Sequence, residues 1–167
     1  MRRMPESLAN TITRGVNAPV DVAKLAEKNG VVVLQKCGLE ERGLAGLSLK
    51  NELHRVISVN SKYSKRRRRF MLAHELGHIM CSIEQRNIIV DSSYEKALTI
   101  NGDDSHEREA TLFAISLLVP RRNLLNSMKN IDTKRIGFFE VVKMLAREYD
   151  VEEWVIMFRL ARLFDKL

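Results

Sequence analysis

Residues 66–82, RRRRFMLAHELGHIMCS, contain the motif from which the rest of the chain can be interpreted. Within this stretch, His74, Glu75 and His78 form a His-Glu-x-x-His pattern. Residues four apart lie on the same face of an α-helix, so both imidazoles can reach one metal ion. Because neutral imidazole is a good ligand for Zn²⁺, the pattern predicts a zinc site built on a helix.

The glutamate between the histidines is predicted to take part in chemistry and not to bind the metal. Glu75 follows His74 directly and is turned about 100° around the helix, which places its carboxylate beside the metal. From there it can take a proton from a water molecule whose pKa zinc lowers to about 7. We therefore assign Glu75 as a general base and both histidines as metal ligands.

The alternative is that the two histidines are core residues that hydrogen-bond inside the fold. The predicted helix is apolar on nearly all sides, with Phe70 and Ala73 on the histidine face and Leu72 and Leu76 on another. Such a helix is buried, and buried histidines need polar partners. With only 4 histidines in 167 residues, a chance match to the pattern is rare, so we favour the metal site.

Length and composition predict a single compact domain. The chain has 167 residues and a hydrophobic fraction of 45%, which is enough to bury a core and too high for a disordered protein. No apolar run reaches the length of a membrane span, and no apolar segment follows Arg2 and Arg3, so we expect neither a membrane anchor nor a signal peptide. Two cysteines, Cys37 and Cys81, cannot form a disulfide framework. We expect a cytoplasmic protein.

The net charge of +7 raises the alternative of a nucleic-acid binder. Five consecutive cations, Lys65 to Arg69, supply much of the local charge, but only 6% of the residues are aromatic and none lies within this run. Successive helical residues point in different directions, so these side chains cannot form one patch at the start of a helix. We expect most of them to be solvated, with one or two arginines paired with carboxylates. Nucleic acid is therefore not predicted to be the primary partner.

Hydrophobic patterns place a small sheet before the motif helix. A helix over Val20–Lys28 is followed by three predicted strands, at Val31–Leu34, Leu44–Leu49 and His54–Val59. The short connection between the last two favours an antiparallel hairpin. The predicted fold class is α+β, with a small antiparallel sheet of about three strands packed on a mostly helical domain. We divide the chain into an N-terminal extension, residues 1–18, and a single domain, residues 19–167.

Helices are predicted to dominate after the motif. A polar stretch from Glu84 to Ser105 precedes a strongly apolar helix over His106–Val119. The last part of the domain, about 134–167, is predicted to form a helical pair. Asp150 and Glu153 resemble a capping box at the start of its final helix. Core packing is the expected role of this pair.

A catalytic zinc site needs a third protein ligand. The metzincin continuation of the motif, His-x-x-Gly-x-x-His, is excluded because Cys81 and Glu84 occupy its last two positions. Three residues at the start of the second long helix compete for the role instead: His106, Glu107 and Glu109.

Helical geometry favours Glu107 among these three candidates. Ala114 lies within about 40° of the direction of Glu107, and its small side chain lets this helix approach the motif helix closely. Glu109 points about 200° away, alongside Ser116, which predicts that it faces solvent. His106 flanks the assigned ligand and is a candidate substrate contact. We assign Glu107 as the third ligand, with the other two left as alternatives.

Two segments together resemble the ImmA/IrrE family of metallopeptidases: AHELGH at 73–78 and E-x-x-A-x-x-FA-x-x-LL-x-P from Glu107 to Pro120. The resemblance extends upstream to PVDVAKLAEKNGVVV at 19–33 and VISVN at 56–60. It also includes an arginine–phenylalanine element, here Arg67, Arg69 and Phe70. It spans roughly residues 19–120.

This resemblance implies a zincin-like fold and a zinc-dependent peptidase that uses His74, His78 and Glu107 as ligands. It also implies a protein substrate, typically a regulator such as a helix-turn-helix repressor that is cleaved at a specific site. Thr111 stands where the family usually carries Asn or Asp. A residue at that position would hydrogen-bond a histidine ligand and orient it.

A second hypothesis comes from a different class of protein. It is a regulatory binding protein that keeps zinc for stability and sequesters its partner without cleaving it. A binding protein forms a stoichiometric complex with its partner, whereas an enzyme releases fragments. Turnover therefore separates the two hypotheses.

Overall fold

Short helices and strands precede the motif helix, and helices dominate after it. The computed structural model describes residues 4–34, 38–82, 87–98, 104–132 and 135–164. In chain order, the elements within these ranges are α1 (Pro5–Ile12), α2 (Val22–Lys28), β1 (Val32–Leu34), β2 (Gly46–Lys50), β3 (Arg55–Val59), α3 (Lys65–Cys81), β4 (Asn87–Asp91), α4 (Tyr94–Ala97), α5 (Ser105–Leu118), α6 (Arg121–Lys129), α7 (Phe138–Glu148) and α8 (Glu153–Phe164). Cys37 and Glu84 lie outside the described residues. Among the described helices, none has the length and apolar character that a membrane span requires.

The four strands form one sheet in the order β1-β3-β2-β4. Strand β2 pairs antiparallel with both β3 and β4, whereas β1 pairs parallel with β3. The predicted α+β class is confirmed. The sheet itself differs from our expectation, because it is mixed and has four strands where we predicted an antiparallel sheet of about three.

Strand β4 was not predicted. Two of its apolar side chains face solvent and its polar end residue is buried, which is the reverse of the usual pattern in a strand. It forms an edge of the sheet, with Ile88 67% exposed and Val90 45% exposed. The buried residue is the polar one at its end, Asp91, which is 4% exposed. Alternation of apolar and polar residues identifies a strand only when the apolar side chains face the core.

Helix α3 is buried between the sheet and α5. A Cβ atom on Gly77 would lie 2.9 Å from both the Cα and the carbonyl oxygen of Ala110, so the two helix backbones are in direct contact. We expected Ala114 of α5 to allow the close approach. Gly77 instead meets Ala110, one turn before Ala114 on α5. This contact brings the start of α5 next to the two histidines of α3.

Helix α1 covers a second face of α5. Ser116, which we expected on a solvent-facing side together with Glu109, is 3% exposed, and Glu109 is half-buried. That expectation is wrong because α1 packs on this side of α5. Arg159 on α8 adds a second link, since its Nη1 lies 2.7 Å from Glu6 Oε1. The division of the chain at residue 18 stays a prediction.

The basic run is largely neutralised by one carboxylate in the turn between α7 and α8. Asp150 lies 2.7 Å from Lys65 Nζ, 3.5 Å from Arg66 Nε and 3.6 Å from Arg69 Nε. More of these cations are paired than we expected. Asp150 has a φ of 51° and ends α7, so the predicted capping box is wrong and α8 begins at Glu153. Aspartate tolerates this left-handed conformation better than most residues.

A second carboxylate, Glu152, ties the start of α3 to α4 and α8. It lies 3.3 Å from Arg67 Nε and accepts hydrogen bonds from Tyr94 Oη at 2.5 Å and Trp154 Nε1 at 3.1 Å. The Trp154 ring meets Phe70 edge to face, with 5.0 Å between the ring centroids. The arginine–phenylalanine element before the motif therefore anchors the C-terminal helices to α3.

Replacing Gly77 with Ala should destabilise the fold, because the added methyl group must push α3 and α5 apart. We expect the free energy of unfolding to fall by about 1–3 kcal/mol, as for other overpacked cores. Urea denaturation measures this difference.

Gly137→Ala is the matched control. Gly137 has a φ of −64°, and a Cβ atom there meets no atom within 4 Å. We expect this control to change stability by no more than about 0.5 kcal/mol. Wild-type stability of Gly77→Ala would contradict the close contact between α3 and α5.

Candidate metal centre

Four side chains from three elements converge on one point. His74 and His78 come from α3, Asp91 from β4 and Glu107 from α5, and one donor atom from each lies within 4.8 Å of the others. Three of these residues were singled out from the sequence. Asp91 was missed, because it is brought to the site by the pairing of an edge strand and no local spacing marks it.

The separations between donor atoms match those of a tetrahedral metal site. His74 Nε2 lies 3.0 Å from His78 Nε2, 3.1 Å from Glu107 Oε2 and 3.2 Å from Asp91 Oδ2. His78 Nε2 lies 3.4 Å from Glu107 Oε1 and 4.0 Å from Asp91 Oδ2. In a tetrahedral zinc site with bonds of about 2.0–2.1 Å, neighbouring donors are about 3.3 Å apart. The four residues can therefore hold one such ion with little movement.

Buried carboxylate oxygens at this point lack compensating partners. Within the described part of the chain, both oxygens of Glu75 and Oδ2 of Asp91 are buried without a hydrogen bond. Leaving such groups unpaired in a protein interior is costly. A divalent cation among the donors would supply the missing positive charge. The residues present therefore fit a metal ion, and a set of imidazole and carboxylate donors is one that zinc accepts.

The pKa values of His74 and Glu107 are shifted by their neighbours in the cluster. Burial lowers the pKa of His74, but contacts with the carboxylates of Asp91 and Glu107 and the charges of both raise it by more, so the net shift is upward. Burial raises the pKa of Glu107, while the two histidines lower it by more, so the net shift is downward. A proton on the His74 imidazole therefore competes with a metal ion for the same nitrogen atom.

Thr111 fixes the orientation and tautomer of His74. Its hydroxyl donates to the carbonyl oxygen of Ala97 at 2.6 Å and lies 3.2 Å from His74 Nδ1. Since the single hydroxyl proton goes to Ala97, Thr111 must accept its second hydrogen bond from His74 Nδ1–H. Nε2 of the neutral imidazole then carries the lone pair and points towards the other donors. The Thr111 hydroxyl thus orients His74 from the position where the family usually carries Asn or Asp.

Glu75 lies against strand β2 at a position that only glycine allows. A Cβ atom on Gly46 would lie 1.8 Å from Glu75 Oε1. Gly46 is also the antiparallel partner of Asp91, which makes the two carboxylates neighbours. Burial and then the charge of Asp91 raise the pKa of Glu75 well above its ordinary value, whereas the nearby Ser48 side chain acts in the opposite direction. Gly46 could not be singled out from the sequence, because nothing in the local pattern shows which side chain it faces.

The competing candidates on α5 lie apart from this cluster. His106 is exposed on the first turn of the helix, and Glu109 is half-buried on a different side from Glu107. Among the described residues, the four-donor group contains neither. The proposed contact of His106 with substrate stays a prediction.

A comparison with protein families matches residues 26–161 to the M78 peptidases, through a model described as the IrrE N-terminal-like domain. The chain belongs to this family. The match covers most of the chain and confirms the resemblance drawn from its two long helices. A comparison with curated protein sequences finds no significant match. Membership of the M78 family gives the cluster a chemical context, because a peptidase acts on a protein substrate.

Replacing Thr111 with Val should weaken zinc binding while keeping the shape of the side chain. The valine leaves His74 Nδ1–H without its acceptor, and loss of such a supporting hydrogen bond lowers metal affinity by about 10–100-fold. Competition with a chromophoric chelator measures the zinc dissociation constant. Thr111→Ser keeps the hydroxyl and is expected to bind zinc within a few-fold of wild type. Wild-type zinc affinity in Thr111→Val would show that this hydrogen bond does not support the metal.

Proposed function

We propose that the protein is a zinc-dependent endopeptidase in which His74, His78 and Glu107 hold the metal and Glu75 is the general base. The observation that carries this proposal is the position of Glu75, whose buried and uncompensated carboxylate lies beside four converging metal donors. Membership of the M78 peptidase family supports the same reaction. A cluster of buried histidines that served packing alone would not need Glu75 in this place.

Glu75 is the group that moves protons in this reaction. When bound, zinc supplies Lewis-acid chemistry, since it lowers the pKa of water to about 7 and polarises a carbonyl group. The Glu75 carboxylate accepts a proton from water as the water oxygen bonds to the peptide carbonyl carbon. It then donates that proton to the amide nitrogen as the carbon–nitrogen bond breaks. Burial against β2 suits both steps, because a raised pKa lets the carboxyl hold the proton between them.

Asp91 decides whether the metal site is open or closed. Three protein donors leave a position for water, whereas four close the site, as in structural zinc centres. Hydrolysis therefore requires that Asp91 leave one position free. Asp91 Oδ2 lies 4.0 Å from His78 Nε2, beyond the separation of about 3.3 Å between neighbouring donors of a tetrahedral site, which favours the open arrangement.

Asp91 in the other arrangement, as a fourth donor, favours the second candidate function. This is a regulatory protein that holds zinc for stability and binds its partner without cleaving it. If Asp91 stays on the metal as a fourth donor, no position remains for a reacting water. This alternative keeps the fold and the metal but loses the turnover.

The substrate is proposed from the family resemblance. It is a specific regulatory protein in the cytoplasm, such as a helix-turn-helix repressor, cleaved at one site. A helix-turn-helix regulator encoded beside the gene for this protein is the first substrate to test.

Replacing Glu75 with Gln should separate catalysis from metal binding. We expect one zinc ion per chain, as in wild type, and a loss of at least about a hundredfold in the rate of cleavage, as for removal of a general base. Metal analysis gives the zinc content, and mass spectrometry of the regulator fragments gives the rate.

Cleavage by Glu75→Gln at the wild-type rate would show that the assigned mechanism is wrong. A wild-type protein that forms a one-to-one complex with the regulator and releases no fragments would support the binding protein instead.

A further inference from the structure

Two cavities join on the side of the molecule where α1 packs against α5. The first, about 620 Å³, is lined by residues of α1, α5, α6 and α8. The second, about 1150 Å³, is lined by the residues that follow α1 and by α6 and α7. Both are lined by Asn10, Arg14 and Arg121, so they form one groove, which we call the α1–α6 groove. None of the four metal donors lines it.

Unpaired positive charge is concentrated in this groove. Five cationic side chains line it: Arg14, Arg121, Arg122, Lys129 and Arg162. In the part of the chain that the structure describes, none of the five forms an ion pair, whereas the run from Lys65 to Arg69 is largely paired with Asp150 and Glu152. The groove therefore holds positive charge that no carboxylate among the described residues pairs with.

The carboxylates that line the groove do not neutralise these cations. Glu6 lies 2.7 Å from Nη1 of the buried Arg159, and Glu148 accepts a hydrogen bond from Ser127 at 2.5 Å. Both are thus engaged by partners outside the five. A ligand that complements the groove must carry several negative charges.

Apolar side chains lie between the cations. Leu125 and Met144 are each 39% exposed and line the second cavity, together with Val16 and Ile131. Partly exposed apolar side chains in a concave surface gain free energy when a partner covers them. The groove therefore complements a ligand with one apolar side and one acidic side.

We propose that the α1–α6 groove is a docking site for an acidic amphipathic helix of a protein partner. The apolar side of such a helix would cover Leu125 and Met144, and its carboxylates would pair with the surrounding arginines, whose planar guanidinium groups bind carboxylates in pairs of hydrogen bonds. Nucleic acid fits less well, because a phosphate backbone gains nothing from the apolar surface. No aromatic side chain is among the described residues that line the groove, so bases have nothing on which to stack. This inference does not depend on peptidase activity.

A synthetic peptide tests the proposal directly. The probe is a fluorescein-labelled helical peptide of about 18 residues, long enough for about five turns, with glutamates on one face and leucines on the other. A second peptide has the same composition in an order that destroys the amphipathic pattern. Fluorescence anisotropy with the full chain gives the dissociation constants. We expect the scrambled peptide to bind at least about tenfold more weakly, since it cannot present both faces at once.

Charge-matched variants locate the binding surface. Arg14→Gln/Arg122→Gln removes two exposed cations from the groove, and we expect the amphipathic peptide to bind at least about tenfold more weakly. Arg42→Gln/Arg68→Gln removes two exposed cations elsewhere and should bind within about twofold of wild type. Leu125→Asn tests the apolar part of the groove separately and should also weaken binding.

Several results would overturn the proposal. These are no binding by the wild-type chain, equal binding of the scrambled peptide, or equal weakening by the two arginine pairs, which would indicate long-range attraction alone. Displacement of the peptide by a 20-base-pair DNA duplex that binds more tightly would instead identify a nucleic-acid surface. Wild-type binding by Leu125→Asn would likewise contradict an amphipathic ligand.

Discussion

The constraint on which this structure depends is the burial of carboxylates next to two imidazoles. Glu75 and Asp91 are almost fully buried, Glu107 is mostly so, and Nε2 of His74 and Nε2 of His78 face them. Such a group is unfavourable in a protein interior unless a cation balances it. A metal ion at the candidate site would therefore support the fold, since it would offset the cost of bringing α3, α5 and β4 together.

The surrounding architecture holds α3 along its whole length. At its start, the turn between α7 and α8 supplies Asp150 and Glu152 to the basic run. At its end, Lys50 of β2 donates to the carbonyl oxygen of Ser82 at 2.9 Å, which places a cation where the helix dipole favours one. In the middle, Gly77 admits the backbone of α5. A donor set with separations near those of a metal site requires this kind of rigid support.

The candidate donors that lie on helices could be singled out from the sequence. His74, Glu75 and His78 follow from spacing along one helix, and the direction of Glu107 follows from the period of the next. Asp91 and Gly46 could not be found in this way. They reach the site through the pairing of β2 with β4, and the exposed apolar face of β4 hid that strand. The fold class could be predicted because local hydrophobic patterns mark helices and strands. The parallel pairing of β1 with β3 could not, because it depends on contacts between distant parts of the chain.

A crystal structure of the zinc-loaded protein, with anomalous diffraction collected on both sides of the zinc absorption edge, would show directly whether His74, His78 and Glu107 hold the metal. We expect one zinc peak per chain, at about 2.0–2.2 Å from Nε2 of His74, Nε2 of His78 and a carboxylate oxygen of Glu107. In the same map, the Glu75 carboxylate should lie beside the ion and outside its ligand set. A zinc peak that excludes the two histidines, or the absence of any peak at this cluster in zinc-saturated crystals, would contradict the account.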